Sequence, residues 1–241
     1  MYIVTGASSG IGQAIALELL TRGEMVLAVA RREGAFATLE HAHSENLIGV
    51  NADVSHPDGI ERIHNAATRQ PLKGIVHSAG SSVPLGDYAS VTPENLVHDM
   101  AVHVAAPMAL NNRFSNRLEQ ARIVYIDSYS ASDLRVGWCG YSIVKAAAQM
   151  AAKAAKAELS AAEIIRVFPG GVRTPLVEAV LDSAADSPTS DIFKALDVAG
   201  KLVQPIQVGR FVADILLHAT TEQLAARDFW DISNSADNPV R

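Results

Sequence analysis

The sequence predicts a doubly wound α/β fold around a central parallel sheet of seven strands. Short apolar runs typical of strands alternate with helical patterns from one end of the chain to the other, as in consecutive parallel βαβ units. Some of these runs are almost wholly apolar, as in Met25 to Ala30 and Ile123 to Ile126. Strands that are covered by helices on both faces have this composition.

The predicted elements follow in order along the chain. Strands are predicted near residues 2–5, 25–30, 47–50, 74–78, 122–127, 163–168 and 228–232. Helices are predicted near residues 11–22, 33–43, 57–69, 92–120, 140–160 and 206–219. From Leu176 to Gln204 helical patches mix with turn-forming residues. We interpret this stretch as a mobile excursion that serves as a lid or binding segment; the alternative is an ordinary surface insertion.

Length and composition favour one domain that covers residues 1–241. A chain of 241 residues with 49% hydrophobic residues can bury one sizeable core. Its net charge of −6 gives no basic footprint for nucleic acid or for an anionic membrane. The expected partners are therefore small molecules and further copies of this chain.

Cysteine usage and hydropathy predict a soluble, cytoplasmic protein. Cys139 is the only cysteine, which excludes an internal disulfide and a disulfide-stapled secreted domain. Met1 leads directly into an apolar strand pattern without a charged leader. No apolar run reaches the roughly 18 residues that a membrane-spanning helix requires.

The glycine-rich turn after the first predicted strand has the spacing of a phosphate-binding turn. It reads Thr-Gly-Ala-Ser-Ser-Gly-Ile-Gly from Thr5 to Gly12. Glycines let a backbone approach a ligand closely, and a helix N-terminus offers free N–H groups to a pyrophosphate. The alternative is a plain strand-to-helix turn. The candidate cofactor-binding residues in this turn are Gly6, Ser8, Ser9, Gly10, Ile11 and Gly12.

The end of the second predicted strand favours NADP(H) over NAD. A carboxylate at this position would bind the ribose 2′-hydroxyl of NAD, but the strand ends in Ala30, followed by Arg31 and Arg32. The planar guanidinium group of arginine pairs well with phosphate. We therefore predict that both arginines bind a 2′-phosphate. In the alternative, they are the solvated start of a helix.

Tyr141 and Lys145 are candidate catalytic residues. Their spacing of four places both on one face of a predicted helix. An ammonium group beside a tyrosine favours the phenolate form, which suits the phenol to proton transfer. A lone tyrosine–lysine match of this kind is common by chance, so the assignment depends on the other motifs.

Taken together, these motifs resemble the short-chain dehydrogenase/reductase family, in its compact single-domain branch with a Rossmann fold. The resemblance covers nearly the whole chain. In that family a serine lies thirteen positions before the tyrosine, and Ser128 occupies that place. The family's Asp-Val pair after the third strand, which lines the adenine pocket, is similar to Asp53-Val54.

Two further family segments have counterparts at strand ends. The family's Asn-Asn-Ala-Gly turn resembles His77-Ser78-Ala79-Gly80, and its Pro-Gly segment near the nicotinamide resembles residues 169–174. The resemblance implies cofactor contacts at these two segments and also at the Tyr141–Lys145 pair. The residues implied at the segments are Ser78, Ala79, Gly80, Pro169, Gly170, Val172 and Thr174.

The resemblance also implies a mechanism. Tyr141 would donate a proton to a carbonyl oxygen while hydride arrives from the nicotinamide, and Ser128 would hydrogen-bond the same oxygen. Lys145 would bind the nicotinamide ribose and favour the phenolate. Donors prepared in this way stabilise the charge that develops on oxygen. The resemblance assigns no metal ligand.

The chain departs from the family pattern at two histidines. His77 stands where the first asparagine of the strand-end turn is usual, and we interpret it as structural. His103 aligns with the helical asparagine that completes the family's proton relay. Histidine can exchange hydrogen bonds with water and titrates near neutrality. His103 is thus a candidate relay residue; the alternative is a structurally satisfied histidine.

Several neighbouring residues carry weaker assignments. Trp138 is interpreted either as an aromatic wall of the substrate pocket or as surface packing, and Cys139 as an inert filler. Asp127 receives no role. The alanine-rich helix from Ala146 to Ala157 is consistent with close packing between subunits, which predicts a homodimer or homotetramer.

The predicted function is NADPH-dependent reduction of a ketone or aldehyde. Residues 83–86 and 106–110 resemble sepiapterin- and benzil-reductase-like members, which reduce vicinal dicarbonyls. One alternative is a 3-oxoacyl-carrier-protein reductase, although such enzymes usually keep the asparagine that His103 replaces. The other is a regulator that binds NADP without turnover.

Overall fold

The architecture is described by a computed structural model for residues 1–67, 70–80, 86–182 and 187–239. Its strands are β1 (Tyr2–Thr5), β2 (Val26–Ala30), β3 (Leu47–Asn51), β4 (Gly74–His77), β5 (Arg122–Ile126), β6 (Glu163–Phe168) and β7 (Trp230–Asp231). Within the described ranges these seven strands form one sheet in the order β3-β2-β1-β4-β5-β6-β7. Every neighbouring pair is parallel. The predicted fold class is confirmed.

Helices connect the strands and cover the sheet. The α-helices in the described ranges are α1 (Gly10–Thr21), α2 (Ala37–His43), α3 (Pro57–Ala66), α4 (Pro93–Met100), α5 (Ala106–Arg113), α6 (Cys139–Glu158), α7 (Pro175–Asp182), α8 (Pro188–Val198), α9 (Pro205–His218) and α10 (Thr221–Ala225). None of the helices in this part of the chain is long and apolar enough to cross a membrane.

The core lies in two layers, one on each face of the sheet. Val4 and Ala28 of the central strands pack in one apolar cluster with side chains of α1, α2 and α9. Ile3 and Leu27, whose side chains alternate to the other face, pack with side chains of α3, α5 and α6. Both β1 and β2 are wholly buried, which explains their continuous apolar sequence.

Helices α1 and α9 pack closely against each other. A Cβ atom added at Gly209 of α9 would lie 2.6 Å from the carbonyl oxygen of Ala14 in α1, so only glycine permits this approach. At the other end of the contact, Arg22 forms an ion pair of 2.6 Å with Asp214 of α9. The helix after the glycine turn is therefore fixed to one of the last helices of the chain.

The prediction of one continuous helix over residues 92–120 is wrong. Helix α4 leads into a π-helical turn at Ala101–Ala105, α5 ends at Arg113, and a 3₁₀ turn follows at Ser115–Arg117. Pro107 explains the change of hydrogen-bonding pattern, because proline has no N–H for the carbonyl four residues earlier, here that of His103.

Other boundaries also differ from the predictions. The strand predicted over residues 228–232 is only Trp230–Asp231, and α2 begins at Ala37. The helix predicted over residues 57–69 ends at Ala66, and positions 68 and 69 lie outside the described residues. Helix ends vary by a residue or two with local hydrogen bonding.

Candidate active site

A large cavity opens at the carboxyl ends of the strands, beside the point where the strand order reverses between β1 and β4. It encloses about 1360 Å³, and ligands of doubly wound proteins bind at this place. Of the predicted site residues, those on its wall are Gly6, Ser8, Ser9, Gly10, Ile11, Gly12, Arg31, Arg32, Val54, Ser78, Ala79, Gly80, His103, Tyr141, Lys145 and Thr174. The fold thus brings together motifs that are far apart in sequence.

The glycine turn leaves no room for side chains. Gly6 and Gly10 have φ angles of 69° and 57°, a conformation that favours glycine. A Cβ atom at Gly6 would lie 2.8 Å from the Cα atom of Ala79, and one at Gly12 would lie 2.4 Å from the carbonyl oxygen of Gly6. The turn therefore packs its backbone tightly against the end of β4 and against itself at the N-terminus of α1.

Thr5 ties this turn to the end of β4. Its hydroxyl donates to the carbonyl oxygen of Val76 over 3.2 Å and accepts the N–H groups of Ser78 and Ala79 over 3.1 Å each. One side chain thereby fixes the strand-end turn of residues 77–80 against the glycine turn.

The two arginines after β2 lie on the cavity wall and are exposed, which leaves their guanidinium groups accessible to an anion. Asp53 is not on the wall, although its neighbour Val54 is. The Asp53 carboxylate accepts the N–H and hydroxyl of Ser55, over 2.9 and 2.7 Å. Burial works against ionisation of Asp53, but these bonds and nearby Arg31 outweigh it and lower its pKa.

Tyr141 and Lys145 lie on the first turns of α6 and face the cavity together. Lys145 is buried, and its Nζ atom donates to the carbonyl oxygen of Ile126 over 3.1 Å. The same atom lies 5.8 Å from the centroid of the Tyr141 ring. The two side chains therefore lie on the same face of α6, as their spacing predicts.

Ser128 is half-buried and lies next to the wall residue Asp127 but is not itself on the wall. It caps the 3₁₀ turn Tyr129–Ala131, and its Oγ atom accepts the N–H of Ser130 over 3.2 Å. Tyr129 donates its hydroxyl to Asp231 of β7, and this bond raises the pKa of Tyr129 to about 12. The turn is held from both ends.

Asp127, which the sequence left without a role, is part of a buried polar cluster. Its carboxylate forms an ion pair with Arg166 of β6 at 2.7 Å and accepts the side-chain amide of Gln149 over 3.4 Å. Sequence reasoning missed Arg166 and Gln149. The available signal was a single arginine inside the otherwise apolar run Ile164–Phe168.

A second buried network braces the end of β4. The ring of His77 donates through Nε2 to Asn111 Oδ1 over 3.0 Å, and Asn111 donates to the Tyr125 hydroxyl over 2.7 Å. Burial lowers the pKa of His77 to about 4 and raises that of Tyr125 to about 12. His77 is thus neutral and structural, as predicted, although it also lies on the cavity wall.

His103 lies within the π-helical turn, is buried, and faces the cavity. A Cβ atom at Gly80 would lie 3.3 Å from its Cε1 atom and 3.7 Å from its Nε2 atom. The imidazole therefore packs against the glycine of the strand-end turn, and π-helical turns are frequent at functional sites.

Aromatic rings form the other side of the cavity near Tyr141. Trp138 is buried and on the wall, so the surface-packing interpretation is wrong. Its ring stacks on Phe193 at 5.1 Å and 9° and meets Tyr141 edge-on at 5.4 Å. An apolar aromatic surface is therefore present beside the candidate proton donor.

The stretch 176–204 supplies this aromatic partner and is largely helical. Helices α7 and α8 place Leu176, Val180 and Ser190 on the wall, and Thr189 donates to the carbonyl oxygen of Val136 over 2.7 Å. The expected binding segment therefore consists of two helices. Positions 183–186, and residues 83–85 of the predicted dicarbonyl-type segment, lie outside the described residues.

The predicted segment after β6 reaches the cavity only at its end. Pro169, Gly170 and Val172 are not on the wall, whereas Thr174 is. Thr174 accepts the N–H of Val177 over 3.4 Å in the first turn of α7, and a Cβ atom at Gly10 would lie 3.3 Å from its methyl group. Thr174 therefore joins the start of α7 to the glycine turn.

The chain is similar to known proteins in sequence and in fold. A family model described as short chain dehydrogenase matches residues 1–185. The benzil reductase ((S)-benzoin forming) of Bacillus cereus is 26% identical over 230 residues, covering 89% of this chain and 92% of that protein. A chloroplastic NADPH-dependent aldehyde reductase-like protein of Arabidopsis thaliana is 29% identical over 224 residues, covering 81% and 83%. A short-chain dehydrogenase/reductase structure from Saccharomyces cerevisiae shares the fold, with a TM-score of 0.88 at 20% identity over 98% and 96% of the two chains.

Proposed function

The chain belongs to the short-chain dehydrogenase/reductase family, and from that premise we propose that it reduces a ketone or aldehyde, dicarbonyl compounds included, to an alcohol with NADPH. The observation that carries the proposal is one cavity wall that holds the glycine turn, the two arginines after β2 and the Tyr141–Lys145 pair. A dinucleotide surface and proton-donating groups thus share one space. The names of the Bacillus and Arabidopsis relatives describe reductases of this type.

The residues present fit NADP(H). The glycine turn lies on the cavity wall and α1 has no acidic residue in its first turn, which suits a pyrophosphate at the helix N-terminus. In our proposal Arg31 and Arg32 bind the 2′-phosphate, and Val54 contacts the adenine. Asp53, Pro169, Gly170 and Val172 support the backbone of their segments, since their neighbours Val54 and Thr174 reach the wall.

The chain's own groups account for the proton chemistry. Bound NADPH supplies the hydride that adds to the carbonyl carbon of the substrate. Tyr141 donates its phenolic proton to the carbonyl oxygen as negative charge develops there, and Ser128 donates a hydrogen bond to the same oxygen. Lys145, held by the carbonyl of Ile126, keeps a positive charge near the phenolate that remains.

We further propose that His103 returns a proton to this pair through water. The supporting observations are its place on the cavity wall and its contact with Gly80. An imidazole both donates and accepts hydrogen bonds. It can therefore replace a relay amide.

The proposal also covers the domain organisation, the location and the oligomeric state of the enzyme. We propose one domain over residues 1–241 that works in the cytoplasm as a homodimer or homotetramer. Apolar side chains at Val97 of α4 and at Ile143 and Met150 of α6 are 68%, 43% and 63% exposed. An exposed apolar surface of this kind favours contact between subunits.

The experiment is a substrate panel assayed with NADPH and NADH in parallel. It contains benzil, a quinone, a simple ketone and an acetoacetyl thioester. We expect NADPH oxidation with the dicarbonyl, little turnover with NADH, and a loss of at least ~100-fold in kcat for Tyr141→Phe. Tyr88→Phe, which changes a side chain 81% exposed, serves as the matched control and should retain full activity.

Each contrary outcome has a defined meaning. Unchanged turnover in Tyr141→Phe would refute the proton-donor assignment. Equal use of NADH would refute the role of Arg31 and Arg32. A preference for the thioester would indicate a 3-oxoacyl-carrier-protein reductase, and NADPH binding without turnover of any carbonyl would indicate a regulator.

A further inference from the structure

The ion pair of Asp127 and Arg166 is removed from water next to the candidate catalytic serine. Both residues are 6% exposed. The Nε and Nη2 atoms of Arg166 lie 2.8 and 2.7 Å from Oδ2 of Asp127. Charges buried in this way require close partners and hydrogen bonds. The pair is therefore a fixed part of the structure at the carboxyl ends of β5 and β6.

The two oxygens of the Asp127 carboxylate have different partners. Oδ2 accepts from Arg166 and, over 3.4 Å, from Gln149 of α6. Oδ1 accepts the backbone N–H of Ser128 over 2.7 Å. The backbone N–H of Asp127 donates to the carbonyl oxygen of Val167 over 2.8 Å. A carboxylate anchored from β6 and α6 thus holds the backbone of the serine.

The serine side chain depends on that backbone. Ser128 is extended, with φ −152° and ψ 144°, and its Oγ atom accepts the N–H of Ser130 over 3.2 Å. This bond uses an oxygen lone pair of Ser128 and leaves the hydroxyl proton for another acceptor. Rotation of the backbone at Ser128 would move the hydroxyl away from this geometry.

We propose that Asp127 is a positioning residue for Ser128, and that Arg166 supplies the opposite charge that lets the Asp127 carboxylate stay buried. The proposal rests on the proposed function, in which Ser128 hydrogen-bonds the substrate oxygen. Asp127 itself does not transfer a proton. Its oxygen Oδ1 fixes the serine, and the charge of Arg166 allows a carboxylate to be buried here.

Two double variants test this role, and both remove the ion pair. Asp127→Asn with Arg166→Met keeps an oxygen that can accept the Ser128 N–H, whereas Asp127→Ala with Arg166→Met does not. Neither variant leaves a buried charge unpaired, so both should fold. In crystal structures, the first should keep the bond from Ser130 to Ser128, and the second should displace the Ser128 hydroxyl by roughly 1 Å. A displacement of that size is enough to reduce turnover about 10-fold or more.

Kinetics with benzil and NADPH give the second readout. The alanine-containing variant should show a kcat about 10-fold below that of the asparagine-containing variant, while the KM for NADPH changes by less than about 2-fold. In a Ser128→Ala background the difference between the two variants should vanish, because Asp127 acts through the serine. Removal of the Arg22–Asp214 ion pair by Arg22→Met with Asp214→Asn is the matched control and should leave kcat unchanged.

The outcomes separate this proposal from the proposed function. Identical positions of Ser128 in the two crystal structures would overturn the positioning role, whatever the enzyme does. An equal loss of kcat with and without Ser128 would overturn it too. If instead Tyr141→Phe left reduction unchanged, the proposed function would fail while the crystallographic comparison still tested Asp127.

Discussion

At the scale of single residues, His77 braces the end of β4, at the position where the family usually has an asparagine. It connects β4 to α5 through Asn111, and Asn111 in turn binds Tyr125 of β5. Because Asn111 Oδ1 is an acceptor, His77 must be the neutral tautomer with a proton on Nε2. A protonated ring would be a buried charge whose hydrogen-bond partner, the Asn111 amide, is uncharged.

We therefore predict that His77 makes the protein sensitive to mild acid. Burial lowers its folded pKa from 6.5 to about 4, so the unfolded chain binds more protons between these two values. The contribution of His77 to the free energy of unfolding is therefore fully present above about pH 6.5 and is lost as the pH falls toward 4. The expected loss between pH 7 and pH 5 is about 2 kcal/mol, measured by urea unfolding.

The control for this prediction is His77→Asn, which removes the titrating group and keeps a polar side chain. Carboxylates elsewhere contribute to the acid sensitivity of both proteins equally. The difference between the two unfolding free energies should therefore shrink by about 2 kcal/mol from pH 7 to pH 5. A difference that is constant with pH would contradict the prediction.

Sequence reasoning found the residues that form a local motif or that match a family motif. Tyr141 and Lys145 are one helical turn apart and the residues of the glycine turn are contiguous, whereas Ser128 and His103 were identified through the family resemblance. The partners of Asp127 and His77 could not be found in this way. Arg166 is 39 residues from Asp127 and Asn111 is 34 from His77, and only the strand order brings them into contact.

At the scale of elements, the π-helical turn at Ala101–Ala105 directs His103 toward the cavity. A regular α-helix would repeat every 3.6 residues, whereas the extra residue of a π turn shifts the side chains on either side relative to each other. Pro107 prevents a regular α-helical hydrogen bond at this point, since it has no N–H for the carbonyl of His103. Sequence reasoning identified the histidine but predicted an unbroken helix.

If His103 relays protons, His103→Ala should lower kcat by about 100-fold, the lower end of the range for loss of an acid–base group. The dissociation constant for NADPH, measured by fluorescence, should change by less than about 2-fold. His103→Asn should restore most of the turnover, because an amide also holds a water.

The matched control is His98→Ala, one turn earlier on α4, where the side chain is exposed. It should not affect either quantity. Equal losses of kcat and NADPH affinity in His103→Ala would indicate a structural histidine.

Helices α7 and α8 account for the mixture of helical patches and turn-forming residues in the stretch 176–204. Some of its turn-forming residues lie at helix starts. Pro188 follows Ser187, whose side chain accepts the N–H of Ser190, and Pro175 begins α7 after Thr174. Proline at the first helical position and serine or threonine before it favour helix initiation. Arg173 then joins the two helices through ion pairs with Glu178 and Asp197.

At the scale of the whole molecule, the sequence was sufficient for the fold class because each βαβ unit is encoded locally. All seven predicted strands are present in the described ranges, in one parallel sheet. Right-handed crossovers restrict how such units assemble. The sequence does not predict the shape of the cavity, because its wall combines the ends of β1 to β5, the π-helical turn, the helices α1 and α6, and the two helices after β6.

The proposed assembly gives a prediction at the same scale. Ile143 and Met150 lie on one face of α6, seven residues apart and both exposed. Ile143→Glu with Met150→Glu should convert a homodimer or homotetramer into smaller species, measured by sedimentation velocity. Val198→Glu, on a side chain that is 91% exposed on α8, is the matched control and should sediment like the unmodified protein. A monomeric unmodified protein would contradict the prediction.

The close contact of α1 with α9 has a consequence for folding while the chain is being synthesised on the ribosome. Helix α1 emerges early, with its apolar residues Ile15 and Leu19 directed at a layer that α9 completes. Its backbone partner Gly209 and its ion-pair partner Asp214 are translated almost two hundred residues later. Contacts between such distant segments form late and slowly. The apolar face of α1 therefore stays uncovered by α9 until nearly the whole chain has been made. A chain that ends before α9 cannot complete the apolar layer in which α1 packs.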